Sequence, residues 1–197
     1  MTDRRQAGLT LLELMLVVAI ICLLAGLALT VGVRSRERAE MTACAFNLRQ
    51  LGMALSLYAY DHDGYLPQVS YGAGDPQAKW LAATLPYYGG AREIEQCPAW
   101  DARAYGRLSY VINASFSHGT ALGSVPEPAT TIIMAERRAG YTHLDYHWNE
   151  GWLALEDSID GTRHGAVSNY LFADGHTEAM PFNLTLQPIN MHDPQHR

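Results

Sequence analysis

Apolar side chains dominate the chain from Leu9 to Val33, where Glu13 is the one side chain with a full charge. As a helix, Leu14 to Val33 would be about 30 Å long, the depth of a bilayer's hydrocarbon core. Beyond Val33 the pattern turns periodic. Leu48, Leu51, Leu55 and Tyr58, with Ala45, Gly52 and Ala59, share one helical face, and Arg49, Gln50 and Ser56 point away from it. No proline occurs between Met1 and Leu66, so one continuous helix is the simplest reading. Two helices hinged near Gly32 are the alternative, since Gly26 and Gly32 each weaken a helix in water by about 1 kcal/mol.

The pattern changes after Tyr60. Asp61-His62-Asp63-Gly64-Tyr65-Leu66-Pro67 is dense in turn formers and ends the helix. The stretch to Gly90 reads as irregular, with a short helix around Gln77 to Leu85. Further on, Leu108 to Asn113, Thr131 to Ala135 and Ser168 to Ala173 read as strands, the last turning through Asp174-Gly175 into His176 to Met180. Asp-Gly between such runs predicts a two-residue hairpin loop with positive φ at both positions. The fold class expected is α+β: a long N-terminal helix whose Leu48 to Tyr58 face packs on a small antiparallel sheet.

The chain has 197 residues and a formal net charge of -6. Nucleic-acid binders concentrate Lys and Arg on one face, so this balance argues against a nucleic-acid partner. Of three cysteines, Cys22 lies in the apolar run, which leaves Cys44 and Cys97 for a folded domain. In an oxidising compartment they either bridge, closing a loop worth about 4 kcal/mol, or stay as two thiols. The apolar run is too long for a secretory signal peptide and is followed by Arg34, Arg36 and Arg38, so it reads as retained. Arg4 and Arg5 on the other side leave orientation unsettled by charge counting. A carboxylate at Glu13 costs about 3 kcal/mol at a bilayer's centre, so it either finds a partner or snorkels to the headgroups.

The segment Gly8-Leu9-Thr10-Leu11-Leu12-Glu13-Leu14-Met15-Leu16-Val17-Val18-Ala19-Ile20, after a short basic leader, closely resembles the prepilin signature of type IV pilins and type II secretion pseudopilins. The resemblance implies cleavage between Gly8 and Leu9 by a prepilin peptidase on the cytoplasmic side, and methylation of the new N-terminus at Leu9, where the family more often has Phe. It implies that Glu13 pairs with the N-terminal ammonium of a neighbouring subunit. It also implies a single-pass protein of the inner membrane, with its N-terminus cytoplasmic and its ectodomain periplasmic or extracellular, that enters a filament. The partners implied are the prepilin peptidase, other pilin or pseudopilin subunits, membrane lipid and an assembly machinery. Segments would then run as a leader at 1–8, a transmembrane helix at 9–33, its amphipathic continuation at 34–60, a globular ectodomain at 61–182 and a tail at 183–197.

A second pattern lies in Arg163-His164-Gly165 and Asn169-Tyr170-Leu171-Phe172-Ala173-Asp174-Gly175-His176. His164, nine residues, then Asp174-Gly175 resembles the prepilin-associated His-(nine residues)-Asp-Gly domain. Cys97-Pro98, Ser109-Tyr110 with Asn113, and Val125-Pro126-Glu127-Pro128 before Thr131 to Glu136 fit the same pattern. The role expected for His164 is structural, capping or hydrogen-bonding the hairpin that Asp174 and Gly175 turn, in preference to a catalytic pair with Asp174.

Chemistry is thinly marked. Asp61 and Asp63 are an acidic pair without the remaining positions of a calcium loop. His143 and His147, four apart, could share a helix face and meet His164 and His176 at a zinc ion, though no metalloprotease Glu follows His143. No nucleophile elbow, phosphate loop or paired-cysteine metal motif occurs. The expectation is a structural subunit with no catalytic residue, cofactor or metal. The alternative is a membrane-anchored metal-binding or hydrolytic ectodomain using His143, His147, His164 or Asp174.

Overall fold

Leu11 to Asp61 form one unbroken α-helix, α1, in the computed structural model, which describes residues 10–67, 79–147 and 152–195. Helical backbone therefore continues through Gly26 and Gly32. The chain divides into two units, Met1–Arg38 and Ala39–Arg197.

In the first unit, α1 carries apolar side chains around its whole circumference from Leu14 to Leu24. Leu11, Leu12, Leu14, Met15, Leu16, Val17, Val18, Ile20, Ile21, Leu23 and Leu24 are all exposed. Among the described residues, no helix is long and apolar enough to cross a membrane. The span read from sequence, 9–33, includes Leu9 and the side chains of 27–33, which lie outside the described residues.

In the second unit, α1 buries Cys44, Leu48, Leu51, Leu55 and Ala59. These pack against a five-stranded sheet in the order β3-β1-β2-β4-β5, formed by β1 (Tyr110–Asn113), β2 (Ile132–Glu136), β3 (Asp145–Tyr146), β4 (Ser168–Phe172) and β5 (Thr177–Met180). Gly52 lets α1 lie close on β4: a Cβ there would stand 2.9 Å from Leu171 Cδ1 and Cδ2. Short helices α2 (Lys79–Thr84), α3 (Ala102–Tyr105), α4 (Ala114–Ser117) and α5 (Trp152–Ser158) fill the connections.

The sheet has a second buried face. Val111, Ala135, Tyr170 and Phe172 pack there against Leu155 of α5, Ile159, Phe182 and Met191. Cover on both sides explains why β1, β2 and β4 are buried at every position instead of alternating. Adjacent strands run antiparallel except β1 and β3, which are parallel. β3 is unexpected, for the aromatic stretch from Tyr141 to Trp152 carries no strand period, and it forms because the Ile112 N–H bonds the Leu144 carbonyl at 3.0 Å.

Two other expectations need correction. The β4–β5 turn is a three-residue loop in which the Gly175 N–H bonds the Phe172 carbonyl and the Phe172 N–H bonds the His176 carbonyl, both at 2.9 Å. Gly175 has φ 90° and Asp174 is not among the positive-φ residues, so this is a turn closed by a left-handed glycine, not a two-residue loop. The segment from Asn183 is no loose tail. Thr185, His192 and Asp193 are buried, and the Ile132 N–H bonds the Met191 carbonyl at 2.7 Å. His192 lies under the sheet between Tyr146 Oη and Thr185 Oγ1, each 2.9 Å from one ring nitrogen, while Asn113 Nδ2 holds its carbonyl at 2.7 Å.

Candidate functional site

Gly8 and Leu9, the residues flanking the expected cleavage point, lie outside the described residues. The next turn is defined. Thr10 N and Thr10 Oγ1 both donate to Glu13 Oε2 at 2.9 Å, and Glu13 N donates back to Thr10 Oγ1 at 3.3 Å. This reciprocal Thr-x-x-Glu arrangement satisfies N–H groups that the first turn of α1 leaves without helical partners. Glu13 Oε1 takes no part in it.

The second site lies where α1 meets the sheet. Cys44 of α1 and Cys97 are joined by a disulfide, with Cα atoms 4.9 Å apart across a sequence separation of 53. Cys97 is held by its own N–H, which donates to Ser109 Oγ at 2.6 Å. Asn47 Nδ2 donates to the Gln96 carbonyl at 2.9 Å and Asn169 Nδ2 to the Met41 carbonyl at 3.1 Å, so polar bonds flank the disulfide on both sides.

Against the disulfide lies a buried acid–base pair. His164 Nε2 is 2.9 Å from Glu136 Oε1 and 3.7 Å from Cys97 Sγ. Glu136 is fully buried at the end of β2, and its other oxygen accepts from Ser168 Oγ at 2.6 Å and from Asn169 N at 3.3 Å. Burial opposes its ionisation, but the hydrogen bond from His164, the charge of Arg163 and the bond from Ser168 outweigh this, and its pKa is lowered. Arg163 extends the network: Nε meets Asp160 Oδ2 at 3.2 Å, Nη1 donates to the Ser109 carbonyl at 2.9 Å, Nη2 donates to the Arg137 carbonyl, and the guanidinium lies 4.6 Å from the Trp100 ring centre.

His164 and Asp174 therefore do separate work. The His164 Nε2 is committed to Glu136 beside the disulfide, which corrects its reading as a hairpin cap. Asp174 is bound by its own turn, accepting from His176 N at 3.0 Å and meeting His176 Nδ1 at 2.6 Å in an exposed pair. Partial burial pushes the Asp174 pKa up and the His176 bonds pull it down, with a net lowering. Gly175 serves the turn through its φ of 90° and its N–H on the Phe172 carbonyl.

The proposed zinc quartet is not assembled. His143 lies against Tyr141, His147 against His118, and His176 is stacked on Phe172, while His164 pairs with Glu136. His143 and the stretch to His147 form coil and strand, not a shared helix face. Asp61 accepts from Tyr87 Oη at 3.1 Å. Among the described residues, the group with convergent metal-capable donors is Cys44, Cys97, Glu136 and His164, all within 4.8 Å of one another. Glu136, Arg163, Ser168 and Asn169 were not singled out from sequence as a network. The available signal was a carboxylate ending the apolar run Ile132 to Ala135.

Residues 3–29 match the prokaryotic N-terminal methylation motif. No curated protein and no solved structure matches the chain. The matched segment contains Gly8, Leu9 and Glu13, and it leads into a helix whose lower half packs on an α+β sheet domain. That match supports a likeness to type IV pilin-like and pseudopilin chains over the N-terminal segment.

Proposed function

We propose that this protein is a structural subunit, cut by a prepilin peptidase between Gly8 and Leu9, methylated at Leu9 and assembled through α1 into a type IV pilus or a type II secretion pseudopilus. The observation that carries the reading is the methylation motif at residues 3–29, with Glu13 inside it. In this reading 9–33 anchors the precursor in the inner membrane, N-terminus inward and ectodomain outward, until neighbouring helices replace lipid. Glu13 Oε1 then receives the methylated ammonium of the next subunit, which offsets the roughly 3 kcal/mol that a lone membrane carboxylate costs. The protein acts through assembly, not catalysis, and its acidic balance of -6 disfavours a nucleic-acid partner.

A second feature supports assembly. Phe46, Met53, Leu57 and Tyr60 are 61%, 52%, 51% and 85% exposed. Their spacings of seven, four and three residues put them on one stripe of α1, opposite the face that Leu48, Leu51 and Leu55 bury in the domain. Such a stripe fits the helix of a second copy.

The test is filament recovery from cells expressing Glu13 variants. Glu13→Lys should reduce sheared filaments to background while the precursor is still processed, and Glu13→Gln should do so partly. Normal filament yield from Glu13→Lys would refute the assembly role.

A further inference from the structure

We propose that when the Cys44–Cys97 disulfide is reduced, Cys44, Cys97, His164 and Glu136 become the four ligands of a zinc ion. Two sulfurs, an imidazole nitrogen and a carboxylate oxygen are a four-donor set of the kinds that bind zinc tetrahedrally. The four donor atoms already lie within 4.8 Å of one another. A four-coordinate zinc with bonds of about 2.0 to 2.3 Å spaces its ligands by roughly 3.3 to 3.8 Å, so the site needs a small contraction and a parting of the two sulfurs.

Each ligand is held by groups the metal would not disturb. Cys97 is fixed by its N–H on Ser109 Oγ at 2.6 Å, and Cys44 rides on α1. Glu136 has Ser168 Oγ at 2.6 Å on one oxygen and Asn169 Nδ2 at 3.1 Å on the other, the outer bonds that orient a metal-bound carboxylate. His164 Nε2 faces both Glu136 Oε1 at 2.9 Å and Cys97 Sγ at 3.7 Å, so its hydrogen occupies the place a cation would take. Two thiolates and a carboxylate exceed the zinc charge by one. The guanidinium of Arg163, next to His164 in sequence and bonded to the Ser109 and Arg137 carbonyls, supplies a compensating charge.

The chemistry balances with a dithiol reductant. Its two thiols deliver two electrons and two protons, the Sγ–Sγ bond breaks, two S–H bonds form, and the reductant leaves as its own disulfide. Zinc then displaces the two thiol protons, and the Nε2 proton is lost as Nδ1 takes one from solvent. The same point between α1 and the sheet is thus stapled covalently in an oxidising compartment and by metal in a reducing one. This inference does not depend on filament assembly.

The test uses the full chain in detergent with Cys22→Ala, which removes the exposed free thiol. After reduction with a phosphine, cobalt(II) is titrated and then displaced by zinc. The expected result is one cobalt per reduced chain with a sulfur-to-cobalt charge-transfer band, no such band in the oxidised chain, and protection of Cys44 and Cys97 from alkylation by zinc. His164→Ala and Glu136→Gln should each weaken zinc binding about tenfold or more. X-ray absorption of the zinc form without ligand substitutions should give two sulfur and two nitrogen or oxygen neighbours, which decides the matter even if a ligand variant does not fold. Absence of the band from the reduced chain, unchanged affinity in folded forms of both variants, or a different ligand count would overturn the proposal.

Discussion

Glu136 and Asp174 are both carboxylates beside a histidine, and burial separates them. The Glu136 pair is 0% and 3% exposed, the Asp174 pair 36% and 40%. Replacing Glu136 by Ala strands His164, Ser168 and Asn169 in the interior and should destabilise the protein by about 3 to 5 kcal/mol. Asp174→Ala removes an exposed pair and a turn bond and should cost about 1 kcal/mol. Urea midpoints of the two variants check both values, and similar midpoints would contradict this contrast. His192 supplies a pH dependence. Burial pulls its pKa from an ordinary 6.5 down to about 3, so the unfolded chain takes up a proton between these values that the folded chain refuses. Its stabilisation is complete above pH 6.5 and drains as pH falls, with a slope of up to about 1.4 kcal/mol per unit. Between pH 6.5 and 5 this loss precedes that of Glu136, whose lowered pKa keeps it charged there. Urea midpoints at pH 7 and 5 should show the fall, and His192→Gln should flatten it.

Helix α1 carries two apolar faces over its second half, and only one is used by the fold. Met53→Gln with Leu57→Gln should leave the thermal midpoint within about 2 °C, because exposed positions contribute little to stability. The same pair should cut filament yield severalfold, measured by shearing and immunoblotting. The buried face was legible in sequence because Leu48, Leu51 and Leu55 follow the helical period, whereas Phe46, Met53, Leu57 and Tyr60 were hidden among them as further apolar letters. Strands β1, β2, β4 and β5 were legible to within a residue or two from their apolar runs and the Asp-Gly turn. β3 was not, since two residues held by the Leu144 carbonyl and by Tyr146 on His192 leave no periodic trace. The burial of His192 was likewise invisible, as a histidine in a polar terminal segment gives no sign of the aromatic pocket that tertiary packing provides.

For the whole molecule, the N-terminal methylation motif at residues 3–29 overlaps the start of α1, whose later residues pack in the domain. Gly8, Leu9 and Glu13 stood out in sequence because they fall in one linear motif, the segment matched at residues 3–29. The cluster of Cys44, Cys97, Glu136 and His164 was not, because its members come from α1, a loop, β2 and the turn before β4. Mass spectrometry of the mature N-terminus in the native cell tests the central claim most directly. The account predicts a chain beginning at methylated Leu9 in the wild type and an uncut precursor in Gly8→Ala; intact Met1 to Gly8 on the assembled or membrane-resident wild-type protein would contradict it.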